Sequence, residues 1–260
     1  MTLLTWIILF SLLGGILSVL AASVYLLLPA APRQRLLPHL VSFAIGALLG
    51  AAFLALLPHA MTMGQDLHAL GLTILLGILA FFSLEKMVLW RHCHAHDCEA
   101  HGHHEAPSTS PNTTPGILIL LGDGLHNMVD GVLIASAFLT DFHLGVVTSL
   151  AVAAHEIPQE VGDFAVLLHS GFSRSRALLF NIIASLMTIV GAVVAYYSFE
   201  GAQYLLPYVL AIAASSFIYV AVADLIPGLH KRTHFSATVQ QLSLILLGVG
   251  VIYWAHSTLH

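Results

Sequence analysis

Charged side chains are scarce in this sequence. Asp, Glu, Lys and Arg together make up only 8% of its 260 residues, whereas 58% of the residues are hydrophobic. Water-soluble domains carry about 25% charged residues, so this composition excludes an ordinary soluble protein. Inside a bilayer a chain must satisfy its own backbone hydrogen bonds, which a helix does within one segment. We therefore predict an all-α polytopic membrane protein, with residues 1–260 forming a single transmembrane domain.

Basic residues and cysteines are scarcer still. The eight Lys and Arg residues are spread in pairs and form no patch, which excludes a nucleic-acid partner. The two cysteines, Cys93 and Cys98, fall in one histidine-rich stretch, so no disulfide framework holds the fold together.

Long apolar stretches are abundant, and eight of them approach the roughly 20 residues that a membrane-spanning helix needs. We predict spans at Leu3–Leu28, Leu37–Pro58, Ala69–Trp90, Gly116–Leu139, Leu144–His169, Ser175–Phe199, Gln203–Ile226 and Val239–His256. The first has no basic residues before it and exceeds the apolar core of a signal peptide, about 7–15 residues long. We expect it to be a retained transmembrane helix.

The positions of the basic residues support an even number of spans. Each pair lies in or near an alternate connection: Arg33 and Arg35, Lys86 and Arg91, Arg174 and Arg176, Lys231 and Arg232. Eight spans put every pair on one side, which the positive-inside rule identifies as cytoplasmic. Both termini are then outside the cytoplasm. The short loops suit a plasma membrane, specifically a bacterial inner membrane.

Two polar motifs interrupt the fourth and fifth spans. His126–Gly131 reads HNMVDG and His155–Glu160 reads HEIPQE. Residues four apart share a helix face, so His126 pairs with Asp130, and His155 with Gln159. A short connection near residues 140–143 makes the two spans a hairpin. It places both histidines at a similar depth, because a helix rises about 1.5 Å per residue.

The residue types in these motifs suit a divalent transition metal. Imidazole and carboxylate groups bind zinc and its neighbours, and amide oxygens add weaker ligands. Pro158 removes one backbone hydrogen bond and is expected to kink the fifth span. The candidate metal ligands are His126, Asn127, Asp130, His155, Glu156 and Gln159.

Further acids lie in the same two spans. An ionised carboxylate at mid-membrane costs about 2.5–3.5 kcal/mol on an insertion scale, so several acids together indicate a cation pathway. Possible accessory ligands are Asp123, Glu160 and Asp163, although Glu160 and Asp163 also fit a structural role.

A histidine-rich tract follows the third span. We predict that residues 91–115 form a disordered cytoplasmic loop that binds soft metals or is merely a solvated linker. Its candidate ligands are His92, Cys93, His94, His96, Cys98, His101, His103 and His104.

Four segments together resemble the ZIP (Zrt/Irt-like) family of metal-ion transporters over the whole chain. They are GDGLHNMVDG (122–131), HEIPQEVGDF (155–164), LLPHA (56–60) and YVAVADLIP (219–227). The resemblance is closest to the subfamily with HExPHExGD in span five. It implies import of Zn²⁺, or of Fe²⁺, Mn²⁺ or Cd²⁺, by elevator-like alternating access, and it implies homodimers.

The resemblance also implies a central site of His126, Asp130, His155 and Gln159, with Asn127 and Glu156 forming an adjoining position. Gln159 replaces the second histidine of the subfamily motif. The sixth span holds no acid, and Thr188 stands where some relatives place a carboxylate. These departures favour one tight site over a full binuclear centre.

Three other functions are alternatives to metal import. An intramembrane zinc protease fits the HE pair, but its HExxH motif needs histidine where Gln159 stands. A cation diffusion facilitator also spaces His and Asp by four, but has six spans. A non-transporting metal sensor would use the histidine tract. We predict a transporter, not an enzyme, with no catalytic cofactor and with Zn²⁺ as its substrate.

Overall fold

Eight helices account for all regular secondary structure in the residues that the computed structural model describes, namely 2–64, 66–93, 114–199, 201–230 and 234–259. They are α1 (Leu3–Gly14 and Ile16–Leu26), α2 (Ala30–Gly50, Ala51–Leu56 and Leu57–Met63), α3 (Leu67–Cys93), α4 (Thr114–Thr140), α5 (Phe142–His169), α6 (Arg174–Ser185 and Met187–Phe199), α7 (Gln203–Leu205, Leu206–Tyr219, Val220–Leu225 and Ile226–Leu229) and α8 (Phe235–Leu259). The predicted all-α polytopic class is confirmed.

Seven of these helices are long and apolar enough to cross a membrane, and α5 is the exception. At 28 residues, α5 has ample length. Its composition sets it apart, because Glu156, Glu160 and Asp163 lie in one continuous helix. The helix that carries much of the candidate site is thus the least membrane-like by composition, and the other helices surround it.

The connections between helices differ in length from the predicted ones. A single residue, Asp141, separates α4 from α5, and its side chain accepts hydrogen bonds from the backbone N–H groups of His143 and Leu144 at 2.8 and 2.9 Å. Helix α5 continues through Pro158. Helix α3 extends to Cys93 and α4 begins at Thr114, so the predicted metal-binding tract lies mostly in residues 94–113, outside the described part of the chain.

The helices pack in two groups. In the first, which we call the site bundle, α4 packs most extensively on α6 and α5, and α1 packs on α5 and α6. In the second, the frame bundle, α2 packs on α8, and α7 packs on α3 and α2. The main contact between the bundles is that of α2 with α5. The candidate site therefore belongs to one bundle and faces the other.

Glycines set the closest approach within the frame bundle. A Cβ atom on Gly46 would lie 2.0 Å from the carbonyl oxygen of Ile245, and one on Gly248 would lie 2.4 Å from that of Phe43. Gly50 likewise faces Ile252. The Gly46-xxx-Gly50 pattern is thus used for contact between α2 and α8 of the same chain. It gives no support to a dimer.

Irregular turns recur in corresponding places in α1–α2 and α6–α7. Helix α1 is interrupted at Gly15 and α6 at Leu186, each after 12 residues. Helices α2 and α7 each contain a six-residue π-helix, Ala51–Leu56 and Val220–Leu225. Because α1 and α6 are five spans apart, they run in opposite directions, as do α2 and α7. We interpret these matching features as an inverted structural repeat, the pattern typical of membrane transporters.

Prolines explain where the π-helices end. Pro58 and Pro227 each stand two residues after their π-helix. Proline lacks an N–H and crowds the carbonyl group four residues earlier, and a widened turn relieves that crowding. We did not predict these wide turns from the sequence, although both prolines were visible in it.

Candidate metal centre

Four side chains from α4 and α5 meet in the middle of the site bundle. They are His126, Asp130, His155 and Glu156, which we call the central quartet. Spacing by four puts His126 and Asp130 on one face of α4, and the hairpin brings the matching part of α5 against it. Three of the four side chains are 1% exposed, whereas that of His126 is 23% exposed. His126 is therefore the most accessible member of the quartet.

The facing atoms of the central quartet are separated by similar short distances. The Nε2 atoms of His126 and His155 are 3.3 Å apart. The His126 Nε2 atom lies 3.8 Å from Asp130 Oδ2 and 3.5 Å from Glu156 Oε1. The His155 Nε2 atom lies 3.3 and 3.6 Å from the same two oxygens.

These separations match the edges of a zinc coordination tetrahedron. Zinc bonds to nitrogen and oxygen are about 2.0–2.2 Å long, which puts tetrahedral ligands about 3.3–3.6 Å from one another. Five of the six edges of the central quartet are 3.3–3.8 Å long. These five separations are thus within a few tenths of an ångström of those in a tetrahedral zinc site.

A backbone carbonyl group fixes the tautomer of His155. The Nδ1 atom of its ring lies 3.1 Å from the carbonyl oxygen of Ala151, one turn earlier in α5. A carbonyl oxygen only accepts hydrogen bonds, so Nδ1 carries the proton and Nε2 presents a lone pair to the quartet. The ring also packs on Phe217 of α7, with ring centroids 6.1 Å apart. The Ala151 carbonyl group and the Phe217 ring together orient His155 for metal binding.

The carboxyl groups of the quartet have no partners outside it in the described part of the chain. The Oδ2 atom of Asp130 and both oxygens of Glu156 are buried there without a well-formed hydrogen bond. A buried acceptor without a partner costs about 1–3 kcal/mol, and more when it is charged. A divalent cation at the centre of the quartet would satisfy these oxygens, and the donor set fits one.

Asn127 and Gln159 occupy a neighbouring position. The Nδ2 atom of Asn127 donates to the Asp123 side chain at 2.8 Å, and its Oδ1 atom accepts from the Thr188 hydroxyl, also at 2.8 Å. Gln159 lies beside Asp123 as well. The structure therefore brings Glu156 into the central quartet, while Asn127 and Gln159 turn toward Asp123.

The three accessory acids form a second group. Asp123, Glu160 and Asp163 are 4%, 0% and 8% exposed, and one oxygen of each lies within 4.8 Å of the others. We call this group the acid cluster. A residue that we did not single out from the sequence, Asn181 of α6, is fully buried and lies against Glu160. The signal that could have identified it in the sequence is the presence of an asparagine inside an apolar span.

Comparisons with known proteins agree with these findings. A family model described as "ZIP Zinc transporter" matches residues 91–255. The chain is 33% identical over 230 residues to "Zinc transporter ZIP13" of Pongo abelii and 31% identical over 265 residues to that of Homo sapiens. It is also 30% identical over 272 residues to "Zinc transporter zipt-7.2" of Caenorhabditis elegans.

The matches cover most of this chain but only part of each relative. They span 83%, 83% and 84% of the present sequence, against 66%, 70% and 58% of the three relatives in the same order. The chain thus corresponds to about two thirds of the length of the proteins it resembles.

Proposed function

The chain is a member of the ZIP zinc transporter family, and we propose that it imports Zn²⁺ into the cytosol through the central quartet. Its relatives are named zinc transporters, and the chain is an integral membrane protein built of apolar helices. The divalent ion is the transported substrate, so no catalytic residue and no resident cofactor belong to the proposal.

The observation that carries the proposal is the geometry of the quartet. Two imidazole nitrogens and two carboxylate oxygens converge at separations of 3.3–3.8 Å, inside a bundle with no other partner for those oxygens. The two carboxylates balance the charge of a divalent cation. Two nitrogen ligands favour Zn²⁺, and Fe²⁺, Mn²⁺ and Cd²⁺ are the alternative substrates.

Asn127 and Gln159 act next to the quartet in this proposal. Both lie beside Asp123, toward the end of α4 that leads to the histidine-rich tract. Amide oxygens bind zinc weakly, so these two side chains suit brief contact with a passing ion more than its storage.

The proposed direction of transport, into the cytosol, rests on the resemblance to the ZIP family, and the proposed topology places the parts of the site along that direction. The basic pairs alternate so that one side of the membrane holds all of them. If that side is cytoplasmic, both termini face outward and the acid cluster lies on the cytoplasmic side of the quartet. We propose a plasma membrane location, which in a bacterium is the inner membrane.

Alternating access is supported by the division into two bundles. The quartet belongs to the site bundle, and His155 packs against Phe217 of the frame bundle. Movement of one bundle against the other would open the quartet to each side in turn, and the inverted repeat is typical of proteins that work this way.

Two further parts of the proposal rest on the resemblance and on the sequence. We propose that the protein is a homodimer, which the mass of the purified protein in detergent would reveal. We also propose that the tract at residues 91–115 binds metal on the cytoplasmic side through its histidines and cysteines.

A zinc protease is not favoured. In HExxH enzymes the glutamate is the general base and two histidines four residues apart hold the metal. Here Gln159 replaces the second histidine, and Glu156 faces His126 and His155 as one of the converging groups. Without an uncommitted carboxylate the site lacks the base that hydrolysis requires.

Zinc flux into liposomes tests the proposed function. Purified protein would be reconstituted with a trapped zinc-sensitive dye, and His155→Ala and Asp130→Ala variants compared with the parent. Each variant removes one of four ligands, and we expect flux to fall by at least about tenfold. Asp141→Asn is the matched control, because asparagine also caps a helix and Asp141 lies at the α4–α5 turn.

Two results would contradict the proposal. A folded parent that binds zinc without passing it would indicate a sensor. Flux that is unchanged in both variants would show that the ion takes another path.

A further inference from the structure

The acid cluster lies one to two helical turns from the central quartet. Asp123 precedes His126 in α4, and Glu160 and Asp163 follow Glu156 in α5. At about 1.5 Å of rise per residue, the two groups are about 8 Å apart along the helix axes. Both helices displace the cluster toward the same end of the bundle, so it is a separate group of side chains and not an extension of the quartet.

The carboxylates of the acid cluster are buried without compensating charge. All three are at most 8% exposed. Among the described residues, no lysine or arginine forms an ion pair with any of them. Within the part of the chain that the structure describes, the Oδ2 atom of Asp123 and both oxygens of Glu160 are buried without a well-formed hydrogen bond. Buried like charges destabilise a fold strongly unless a cation or protons neutralise them.

An independent observation points to a ligand. Asn181 comes from α6, a helix that contributes nothing to the quartet or to the cluster itself. It is fully buried, and its amide nitrogen approaches the Glu160 side chain, whereas its amide oxygen has no hydrogen-bond partner among the described residues. An asparagine inside an apolar helix normally uses both ends of its amide across helices, so an unbonded amide oxygen beside three acids indicates that something else binds it.

The available donors define the chemistry. Three carboxylates and one amide oxygen form a site without nitrogen or sulfur, which suits divalent cations that prefer oxygen and binds Zn²⁺ less selectively than imidazole does. The central quartet, with its two imidazole nitrogens, has the opposite preference. An ion moving from one to the other would go from a selective site to one that releases it more readily.

Asn127 connects the two sites. It follows His126 in the chain, and its amide nitrogen donates to the carboxylate of Asp123 at 2.8 Å. The Thr188 hydroxyl of α6 holds the other end of the same amide. The Asn127 side chain is thus tied to the acid cluster, and its backbone adjoins a member of the quartet.

We propose that Asp123, Glu160, Asp163 and Asn181 form a second divalent-cation site, which receives the ion from the central quartet before release. The order of the two sites along the path rests on the proposed function, but binding at the acid cluster does not. If one ion crosses the membrane at a time, the central quartet and the second site in series are sufficient binding sites along its path.

Binding of Mn²⁺ to the purified full-length protein in detergent tests the proposal. Electron paramagnetic resonance counts bound Mn²⁺ and detects nitrogen ligands through their couplings. In a His126→Ala/His155→Ala variant we expect one bound Mn²⁺ without nitrogen coupling. Addition of Glu160→Gln and Asp163→Asn should weaken its binding by at least about tenfold, because fewer charged ligands remain. Addition of Asp141→Asn instead should leave it unchanged.

A variant that binds Mn²⁺ more tightly would exclude misfolding as the cause of weaker Mn²⁺ binding in the cluster variants. Asn181→Asp adds a carboxylate to the proposed site, so Mn²⁺ should bind more tightly. If the acids are simply protonated and hydrogen-bonded to one another, a fourth acid would bring no tighter binding, and that result overturns the proposal. Equal Mn²⁺ binding with and without Glu160→Gln and Asp163→Asn overturns it too.

The binding test is independent of the flux assay. Loss of Mn²⁺ binding in the cluster variants supports the second site even if liposomes show no zinc flux. If zinc flux is normal and Mn²⁺ binding is unaltered in the cluster variants, the proposal of a second site is refuted and the proposed function still stands.

Discussion

At the scale of single residues, His155 serves in two interactions at once. Its Nδ1 atom is held by the carbonyl oxygen of Ala151, and its Nε2 atom faces Asp130 at 3.3 Å. The ring has little freedom, because Phe217 packs against it. A ligand that is oriented before the ion arrives loses less conformational entropy when it binds.

Glu156→Gln should have opposite effects on the metal-free and the metal-bound protein. In the metal-free protein it replaces a buried carboxyl group whose two oxygens lack well-formed hydrogen bonds, so Tm should stay the same or rise. In the bound protein it removes a charged ligand. If the affinity for Zn²⁺ falls tenfold, the stabilisation that zinc provides shrinks by about 1.4 kcal/mol. Thermal unfolding in detergent with and without Zn²⁺ measures both effects.

Asp66→Asn is the control for that measurement. Asp66 accepts hydrogen bonds from the backbone N–H groups of His68 and Ala69 at the start of α3, a role that asparagine also fills. It removes one negative charge far from the quartet. An equal loss of zinc stabilisation in both variants would show that Glu156 is not a ligand.

At the scale of helices, α4 and α6 touch backbone to backbone. A Cβ atom on Gly131 would lie 1.8 Å from the carbonyl oxygen of Thr188, and one on Gly191 would lie 2.0 Å from that of Met128. This contact allows the Thr188 hydroxyl to reach Asn127. The two glycines therefore set the position of α6, and with it that of Asn181.

Gly131→Ala and Gly191→Ala should each be destabilising. The added methyl groups cannot fit unless α4 and α6 separate, and overpacking of this kind costs about 1–3 kcal/mol or more. Gly122→Ala is the matched control, because it lies in the same helix with nothing within 4 Å of its Cβ position. Thermal unfolding should rank the two core variants well below the control. Equal stability of Gly131→Ala and Gly122→Ala would refute the close contact.

The helices, and part of the candidate site, could be predicted from the sequence. The lengths of the apolar stretches predicted the eight helices. The short turn between the fourth and fifth spans predicted that His126 and His155 lie close together. Whether Glu156 or Gln159 faces His126 could not be predicted, because residues three apart differ by only about 60° around a helix. The rotation of α5 depends on its packing against α2 and α4. Asn181 could not be assigned either, since its neighbour Glu160 belongs to another helix.

At the scale of the whole molecule, the site bundle and the frame bundle meet along a limited surface. Helices α2 and α5 form most of it, with Leu40 and Val161 in one apolar cluster. If the bundles move against each other during transport, a bridge across this surface should stop transport, whereas a bridge inside one bundle should not.

Cross-linking tests this expectation. In a chain with Cys93→Ser and Cys98→Ser, a short bis-thiosulfonate would join Leu40→Cys to Val161→Cys. We expect zinc flux to fall by at least about tenfold, since any state that requires movement becomes inaccessible, and to return when a reductant breaks the bridge. The readout is the same liposome assay.

The control bridge joins two helices of the site bundle. A Cβ atom on Gly14 would lie 3.8 Å from that of Val152, a separation suited to a disulfide. Gly14→Cys with Val152→Cys should cross-link and leave flux intact. Full flux through the chain bridged from Leu40 to Val161 would mean that the bundles do not move relative to each other.

The inverted repeat has a consequence for the history and the cycle of this protein. The interruptions at Gly15 and Leu186 touch, with the Cβ position of Gly15 only 2.8 Å from the carbonyl oxygen of Ser185. Two copies of an ancestral unit, inserted in opposite orientations, would produce this pairing. If the protein works by the proposed alternating access, each copy has the conformation that the other copy adopts in the oppositely facing state. The present conformation of α6–α7 would then be the template for α1–α2 in that state, and exchanging the two conformations would produce the second half of the transport cycle.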